Sequence, residues 1–291
     1  MPRTVQQAFD IFAQRLTPLQ SQRDAAVKHR ANIRVSLENK LSVGTFRETG
    51  SFTHGTGVRN YSDVDALVSI NNSKPINSDT ALTWVKSALQ FSFPYTTVRV
   101  SRPAVVVEFA GGTETWEIIP GFLTARGGAN TLVWDIPGAA GGWMDTAPLE
   151  HLRYVDECNS AAAGTRGGAK QLARFAKAWK YNCDVPISSF YLEMRAAQYM
   201  ATQSSYLPIW DVCTLLEKLN GHQLASMNDP KGAAARFSAC SSDFKRQIAL
   251  SRLKTAATRA RKALDAHTSG KPNEAFYYLN LLFGGKFPAQ N

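Results

Sequence analysis

The stretch Gly50-Ser51-Phe52-Thr53-His54-Gly55-Thr56-Gly57-Val58-Arg59-Asn60-Tyr61-Ser62-Asp63-Val64-Asp65 decides how the rest of the chain is read. It runs into the alternating segment Asp63 to Ile70, and along a strand successive side chains point to opposite faces. Asp63 and Asp65 therefore share one face, while Val64, Ala66, Val68 and Ile70 share the other. Two carboxylates held side by side repel and raise one another's pKa unless a cation lies between them, and hard divalent ions take oxygen ligands. The pair reads as a cradle for Mg²⁺. Upstream, Gly50 and Ser51 can form a small-residue turn whose backbone N–H groups and hydroxyl meet a phosphate chain. A D-x-D strand or a Gly-Ser turn alone is usually a polar face or a loop. Their coincidence, with eleven residues between Ser51 and Asp63, carries the meaning. Within the spacer, His54 titrates near neutrality and could act as acid or base, but loop packing or contact with a phosphate is the simpler role. Arg59 is a better phosphate candidate than Thr56 because of its forked donors.

Working outward, Val98 to Val100, Val105 to Phe109 and Thr115 to Ile119 are β-branched segments, so the middle of the chain reads as a sheet. Residues 5 to 42 are helical in composition, with Val5, Phe9, Phe12, Ala13 and Leu16 at three- and four-residue spacings, and predict a long helix or a helix pair. Five glycines and a proline between Arg126 and Trp143 mark a long loop or a domain connection. After Leu149 the pattern is helical almost to the end, without internal repeats. At 291 residues two packed units are expected: a sheet core with its N-terminal helix over 1–149 and a helical unit over 150–291, an α+β organisation.

Composition narrows the classes. Apolar residues make up 44% and charged residues 19%, which excludes a disordered chain. No apolar run approaches the ~18 residues of a membrane span, and the opening MPRTVQQAFD lacks a secretory pattern, so a cytoplasmic protein is expected. Cys158, Cys183, Cys213 and Cys240 lie far apart with no C-x-x-C pair, as reduced thiols rather than zinc ligands. Lys and Arg number 33 against 23 Asp and Glu, a net charge of +10 that attracts nucleotides and other polyanions.

Two basic segments follow. Around a helix, Arg166, Lys170, Arg174 and Lys177 form one stripe, and Leu172, Phe175, Ala176 and Trp179 the opposite one. From Lys245 to Lys262 there are seven Lys or Arg and no acid, but Leu250, Leu253, Ala257, Ala260 and Leu264 form a core stripe that these charges flank as snorkelling side chains.

The Gly-Ser, spacer and Asp-x-Asp arrangement resembles the nucleotidyltransferase superfamily of DNA polymerase β type, and GSFTHGTGVRNYSDVDALV is similar to the bacterial CD-NTases, relatives of cyclic GMP-AMP synthase and oligoadenylate synthase. Two further segments carry the resemblance: KQLARFAKAWKYNCDVPISSFYLE over Lys170 to Glu193, and Leu282-Phe283-Gly284 with Phe287-Pro288, similar to an FG-x-x-FP ending. The family needs a third carboxylate on a neighbouring strand. Glu108, Glu114 and Glu117 are available, and Trp116-Glu117-Ile118-Ile119-Pro120-Gly121-Phe122 resembles the family's ending to that strand, with Glu where many members carry Asp.

The resemblance implies a polymerase-β-like sheet core followed by a helical domain like that of oligoadenylate synthase, with the nucleotide cleft between them. It implies two Mg²⁺ ions, replaceable by Mn²⁺, on Asp63, Asp65 and Glu117. Lys177 and Ser189, with Ser188 as alternative, are implied to meet the donor triphosphate together with Gly50 and Ser51. Tyr191 is implied to border the donor base, and Asn159 to read a base as an amide, which favours a uridine- or adenine-containing product. The implied activity joins NTPs into a cyclic di- or oligonucleotide messenger, with pyrophosphate released, in antiphage (CBASS) signalling. Its partners would be the NTPs and a downstream effector switched by the messenger, and the protein itself a monomer without a stable nucleic-acid partner. The alternative is a template-independent transferase acting on RNA ends or a small molecule. The ending Gln290-Asn291 lacks the terminal Gly or Ala of relatives that are conjugated there, so no conjugation is expected.

Overall fold

The computed structural model describes residues 2–61, 63–109, 111 and 114–290, leaving aside the side chains of residues 22, 23 and 25. Ser62 of the Gly-Ser segment and Asn291, on which the conjugation expectation rests, lie outside the described residues.

The chain begins with two helices, α1 (Val5–Leu16) and α2 (Gln20–Glu38), matching the expected pair. Thr4 opens α1 through a capping box with Gln7, and Val5, Ala8, Phe9, Phe12, Ala13 and Leu16 form its buried side. Strands β1 (Val43–Thr49) and β2 (Val64–Ile70) enclose a short helix, α3 (Gly50–Thr53). Helix α4 (Ser78–Ser92), capped by Asn77, then leads to β3 (Thr97–Ser101), β4 (Ala104–Phe109) and β5 (Glu114–Leu123). The sheet order is β1-β2-β5-β4-β3, with β2 and β5 parallel and the other neighbours antiparallel. The segment between Arg126 and Trp143 is not all loop. It holds β6 (Trp134–Pro137), paired with β5 and with β7 (Trp143–Thr146) in a hairpin whose Gly141 and Gly142 take positive φ.

The alternation read in β2 has a clear physical outcome. Val64, Ala66, Val68 and Ile70 pack with Ile33 and Leu37 of α2 and with Leu82, Val85 and Leu89 of α4. On the opposite face Leu67 is covered by Trp134 and Ile136 of β6, which leaves the polar start of the strand open.

Helices α5 (Pro148–Ser160), α6 (Gly168–Asn182), α7 (Ser189–Met200), α8 (Pro208–Gly221), α9 (Asp243–Thr268) and α10 (Pro272–Leu282) build a second apolar core. Helix α1 belongs to this core rather than to the sheet: Phe9 meets Phe175 at 5.2 Å and Phe12 meets Phe283 at 4.8 Å between ring centroids. Phe287 completes the cluster, 5.0 Å from Phe9. Gly284 (φ 60°) passes so close to α6 that a Cβ there would lie 2.7 Å from the Asn182 carbonyl oxygen, which explains a glycine between the two aromatic residues. Among the described residues no helix is long and apolar enough to cross a membrane.

Candidate active site

The two cores meet at a cleft of about 530 Å³. Its sheet side carries Gly50, Ser51, Asp63, Asp65 and Glu117, and its helical side carries Lys177, Lys180, Tyr181, Ser189, Phe190 and Glu193. The backbone dictates the carboxylate arrangement. Asp65 of β2 stands in register with Glu117 of β5, and Asp63 immediately precedes β2. Burial, followed by the charge of Glu117, raises the Asp63 carboxyl to about 6. Burial likewise raises Asp65, with Glu117 and Asp63 adding to it, and raises Glu117. Asp65 and Glu117 stand side by side on neighbouring strands, so each charge disfavours that of the other.

The other two candidates for the third carboxylate are engaged elsewhere. Glu108 takes the Arg99 Nε at 2.9 Å, and Glu114 accepts from Trp116 Nε1 at 2.8 Å and faces His29 at 2.9 Å. Neither lines the cleft.

A divalent cation fits this donor set. The three groups offer only hard carboxylate oxygens, crowded and partly desolvated, and a cation would relieve their mutual repulsion. Among the described residues no three such side chains are already closed into a cage, so the carboxylates line the cleft as an open set.

Opposite them, Ser189 Oγ accepts from Lys180 Nζ at 2.8 Å and lies 3.0 Å from the Tyr181 hydroxyl. Burial, with Lys177 nearby, lowers Lys180 to about 8. The Tyr181 ring stacks on Tyr61 at 4.8 Å, and both line the cleft. Behind this wall Lys177 is 1% exposed and pairs with Glu193, whose other oxygen meets His54 Nδ1. Burial alone would raise the Glu193 carboxyl, but Lys177 and His54 hold it well below the usual range.

The structure thus brings Gly50, Ser51, Asp63, Asp65, Glu117, Lys177 and Ser189 together, and it corrects three other expectations. Tyr191 is buried in α7, its hydroxyl donating to the Ala225 carbonyl at 2.7 Å, and does not border the cleft. Arg59 turns away from the cleft to the end of α1, donating to the carbonyls of Thr17 at 2.8 Å and Gln14 at 3.1 Å. Asn159 Oδ1 accepts from the Lys170 backbone N–H at 3.0 Å at the start of α6, and the residue does not line the cleft. Lys177 lines the cleft as well, with its ammonium meeting Glu193 and the Thr56 hydroxyl. Ser188 caps α7, its hydroxyl accepting from Tyr191 N–H at 3.3 Å, and faces an adjoining cavity. Within the basic stripe, Arg174 donates to the Gly55 and Gly57 carbonyls at 2.6 and 3.0 Å, while Arg166 is exposed ahead of α6.

Sequence reasoning missed Lys180, Tyr181, Tyr61 and Glu193. Lys180 and Tyr181 follow the Lys-x-Trp segment directly, and one further turn of that helix would have found them.

A nucleotidyltransferase-type sheet, an open carboxylate set at its parallel pair and a helical wall across the cleft define the class. The Second Messenger Oligonucleotide or Dinucleotide Synthetase domain matches residues 3–159, more than half of the chain. A probable cyclic nucleotide synthase of Bacillus cereus (strain VD146) is 23% identical over 224 residues. That match covers 76% of this chain and 66% of the relative, just under two thirds of its length. The fold matches CdnC of E. coli MS115-1, solved with ATP, with a TM-score of 0.77 at 17% identity, covering 98% of this chain and 99% of that one. It also matches the CD-NTase CdnG of Bradyrhizobium diazoefficiens, solved with GTP, with a TM-score of 0.74 at 13% identity and coverage of 96% and 94%. The cyclic AMP-GMP synthase DncV of Vibrio cholerae gives 0.65 at 13% identity, covering 84% of this chain and 69% of that one. This chain belongs to the Second Messenger Oligonucleotide or Dinucleotide Synthetase family.

Proposed function

We propose that the protein joins nucleoside triphosphates, releasing pyrophosphate, into a cyclic di- or oligonucleotide messenger. The observation that carries this reading is the register of Asp65 with Glu117, beside Asp63 and across the cleft from Lys180 and Ser189. Asp63, Asp65 and Glu117 would hold two Mg²⁺ ions, with Mn²⁺ as a substitute; bound there, such ions polarise an α-phosphate and acidify an attacking ribose hydroxyl. Glu117, raised by burial, is suited to accept the hydroxyl proton. Gly50, Ser51 and Ser189 would hold the phosphate chain in line. Tyr61 and Tyr181 offer the stacking surface expected of Tyr191.

The family, the relative named as a cyclic nucleotide synthase and the fold matches solved with ATP or GTP support this reading. A monomer in the cytoplasm signalling to an effector in antiphage defence is the setting that follows from it.

The test is purified protein with Mg²⁺ or Mn²⁺ and each labelled NTP, alone and in pairs, followed by phosphatase and mass analysis. A phosphatase-resistant small product formed from NTPs alone is expected. Extension of added RNA or modification of a small molecule, with no such product, overturns the messenger reading in favour of the alternative transferase.

A further inference from the structure

The spacer between the Gly-Ser turn and Asp63 leaves the sheet and is mounted on the helices. Helix α3 packs beside β1 and β2, and the chain rejoins the sheet at β2. Between them Val58 is fully buried in the helical core, in one cluster with Phe9, Phe12 and Phe175. The Arg59 N–H donates to the Leu16 carbonyl at 2.7 Å and its guanidinium takes the Thr17 and Gln14 carbonyls, which fixes this end of the spacer to the end of α1. Tyr61 then stacks on Tyr181 of α6.

The other end is held by Arg174. From α6 its Nη2 donates to the Gly55 carbonyl at 2.6 Å and its Nε to the Gly57 carbonyl at 3.0 Å, so one planar fork spans two main-chain oxygens of the loop. Gly57 is buried and Gly55 half-buried, places where a carbonyl left without a donor is costly. The same loop is bonded back onto the turn: the His54 N–H donates to the Gly50 carbonyl and the Thr56 N–H to the Ser51 carbonyl, each at 3.0 Å. A shift of the Gly55–Gly57 backbone is therefore a shift of the Gly-Ser turn. Arg174 itself does not line the cleft, and it acts on the site through these carbonyls.

We infer that Arg174 is a positioning residue, which holds the Gly-Ser turn in its binding shape from the helical side of the cleft, so that the turn needs no ordering when a triphosphate arrives. This rests on the reading of the cleft as a nucleoside triphosphate site.

The experiment measures binding of the α,β-methylene analogues of ATP, GTP, UTP and CTP with Mg²⁺ by calorimetry, well below the melting temperature of each variant, beside the matching nucleoside monophosphates. Arg174→Ala is expected to weaken triphosphate binding about tenfold or more, because a loosened turn must be ordered on binding, while monophosphate affinity stays within about threefold. Arg174→Lys keeps the charge without the fork, so its triphosphate affinity is expected to stay at least about threefold below wild type. Both losses should persist at high ionic strength, where the effect of a missing long-range charge fades. Arg261→Ala is the control: it removes a guanidinium that pairs with Glu217 and Asp265, away from the spacer, and should bind as wild type does.

Wild-type affinity in Arg174→Ala or in Arg174→Lys overturns the inference. So do equal losses for monophosphate and triphosphate, a loss that salt removes, and a loss that Arg261→Ala shares. If Arg174→Ala does not fold, Arg174→Lys decides alone, because an ammonium can still make one of the two bonds. A wild-type protein that binds none of the four analogues overturns the cleft reading itself and the inference with it, which separates the two failures.

Discussion

Gly50 lies against Asp65 so closely that a Cβ on the glycine would stand 1.9 Å from the carboxylate Oδ2 and 2.9 Å from the Asp65 Cβ. The contact reaches the root of the aspartate side chain, so rotating the carboxyl cannot relieve it, and Gly50 also has a φ of 66°. Gly50→Ala is therefore expected to displace Asp65 and lower turnover by about 100-fold or more, the cost of a misplaced reacting group. Gly55→Ala is the control. Its φ is 69° but the nearest atom to its Cβ is Lys170 Cδ at 3.7 Å, so it should lose roughly 1 kcal/mol of stability from backbone strain and keep most activity. Turnover and melting measured on both variants separate the two effects.

Replacing a cleft carboxylate should move activity and stability in opposite directions. Asp65→Asn removes one of three crowded groups whose charges oppose one another, so the metal-free protein is expected to melt higher than wild type. Product formation should fall by several orders of magnitude, and Mg²⁺ should lose most of its power to raise the melting temperature. Thermal scans with and without Mg²⁺ check this; activity within tenfold of wild type would remove Asp65 from the metal site.

Glu117→Gln and Glu108→Gln form a second opposed pair. Both residues project from the same side of the sheet, since Val106 of β4 pairs with Glu117 and Glu108 lies two residues further along that strand. Only Glu117 lines the cleft, while Arg99 takes Glu108. Glu117→Gln should abolish turnover and leave some triphosphate binding, whereas Glu108→Gln should stay within a few-fold of wild type. Single-turnover assays beside binding measurements decide it, and the reverse order would make Glu108 the third ligand.

The pH profile should have two limbs. Asp63, raised to about 6, takes a proton below that pH and competes with the cation, so the Mg²⁺ concentration for half-maximal activity should rise as pH falls. Lys180, lowered to about 8, loses its charge above that pH, so triphosphate affinity should weaken there. Lys180→Arg should remove the alkaline limb, because a guanidinium stays charged. For stability the sign reverses. The folded Asp63 binds its proton more tightly than the unfolded value of 3.8 allows, so the metal-free fold should lose stability as pH rises from 3.8 to about 6. Titrations at fixed ionic strength test each limb.

The parts of this site legible in the sequence are those set by local periodicity. Asp63 and Asp65 declared themselves through a period of two and α1 through Phe9 and Phe12, whereas Glu117 is singled out only by the resemblance of its strand ending to the family's. The unread parts depend on long-range partners. Nothing near Lys177 in the sequence indicates that Glu193, sixteen residues on, and Thr56, 121 residues away, will neutralise and enclose it. Tyr191 and Tyr181 look equally fit to stack on a base until the turn of α7 sends one to the Ala225 carbonyl. Strand β1 escaped notice because it is an edge strand with Gly44 and Thr45 exposed, which erases the apolar alternation. The β6–β7 hairpin escaped because each strand is four residues long and glycines dominate its turn.

The aromatic cluster that joins Phe9 and Phe12 to Phe175, Phe283 and Phe287 also constrains how the molecule is made. Synthesis releases α1 before the sheet, yet its partners on the FG-x-x-FP segment emerge only after every helix of the opposite cleft wall. A nascent chain can therefore complete its sheet while the wall bearing Lys180 and Ser189 still lacks its final packing. A chain interrupted before Phe283 carries the carboxylates of the sheet but lacks the aromatic packing that holds the opposing wall to α1.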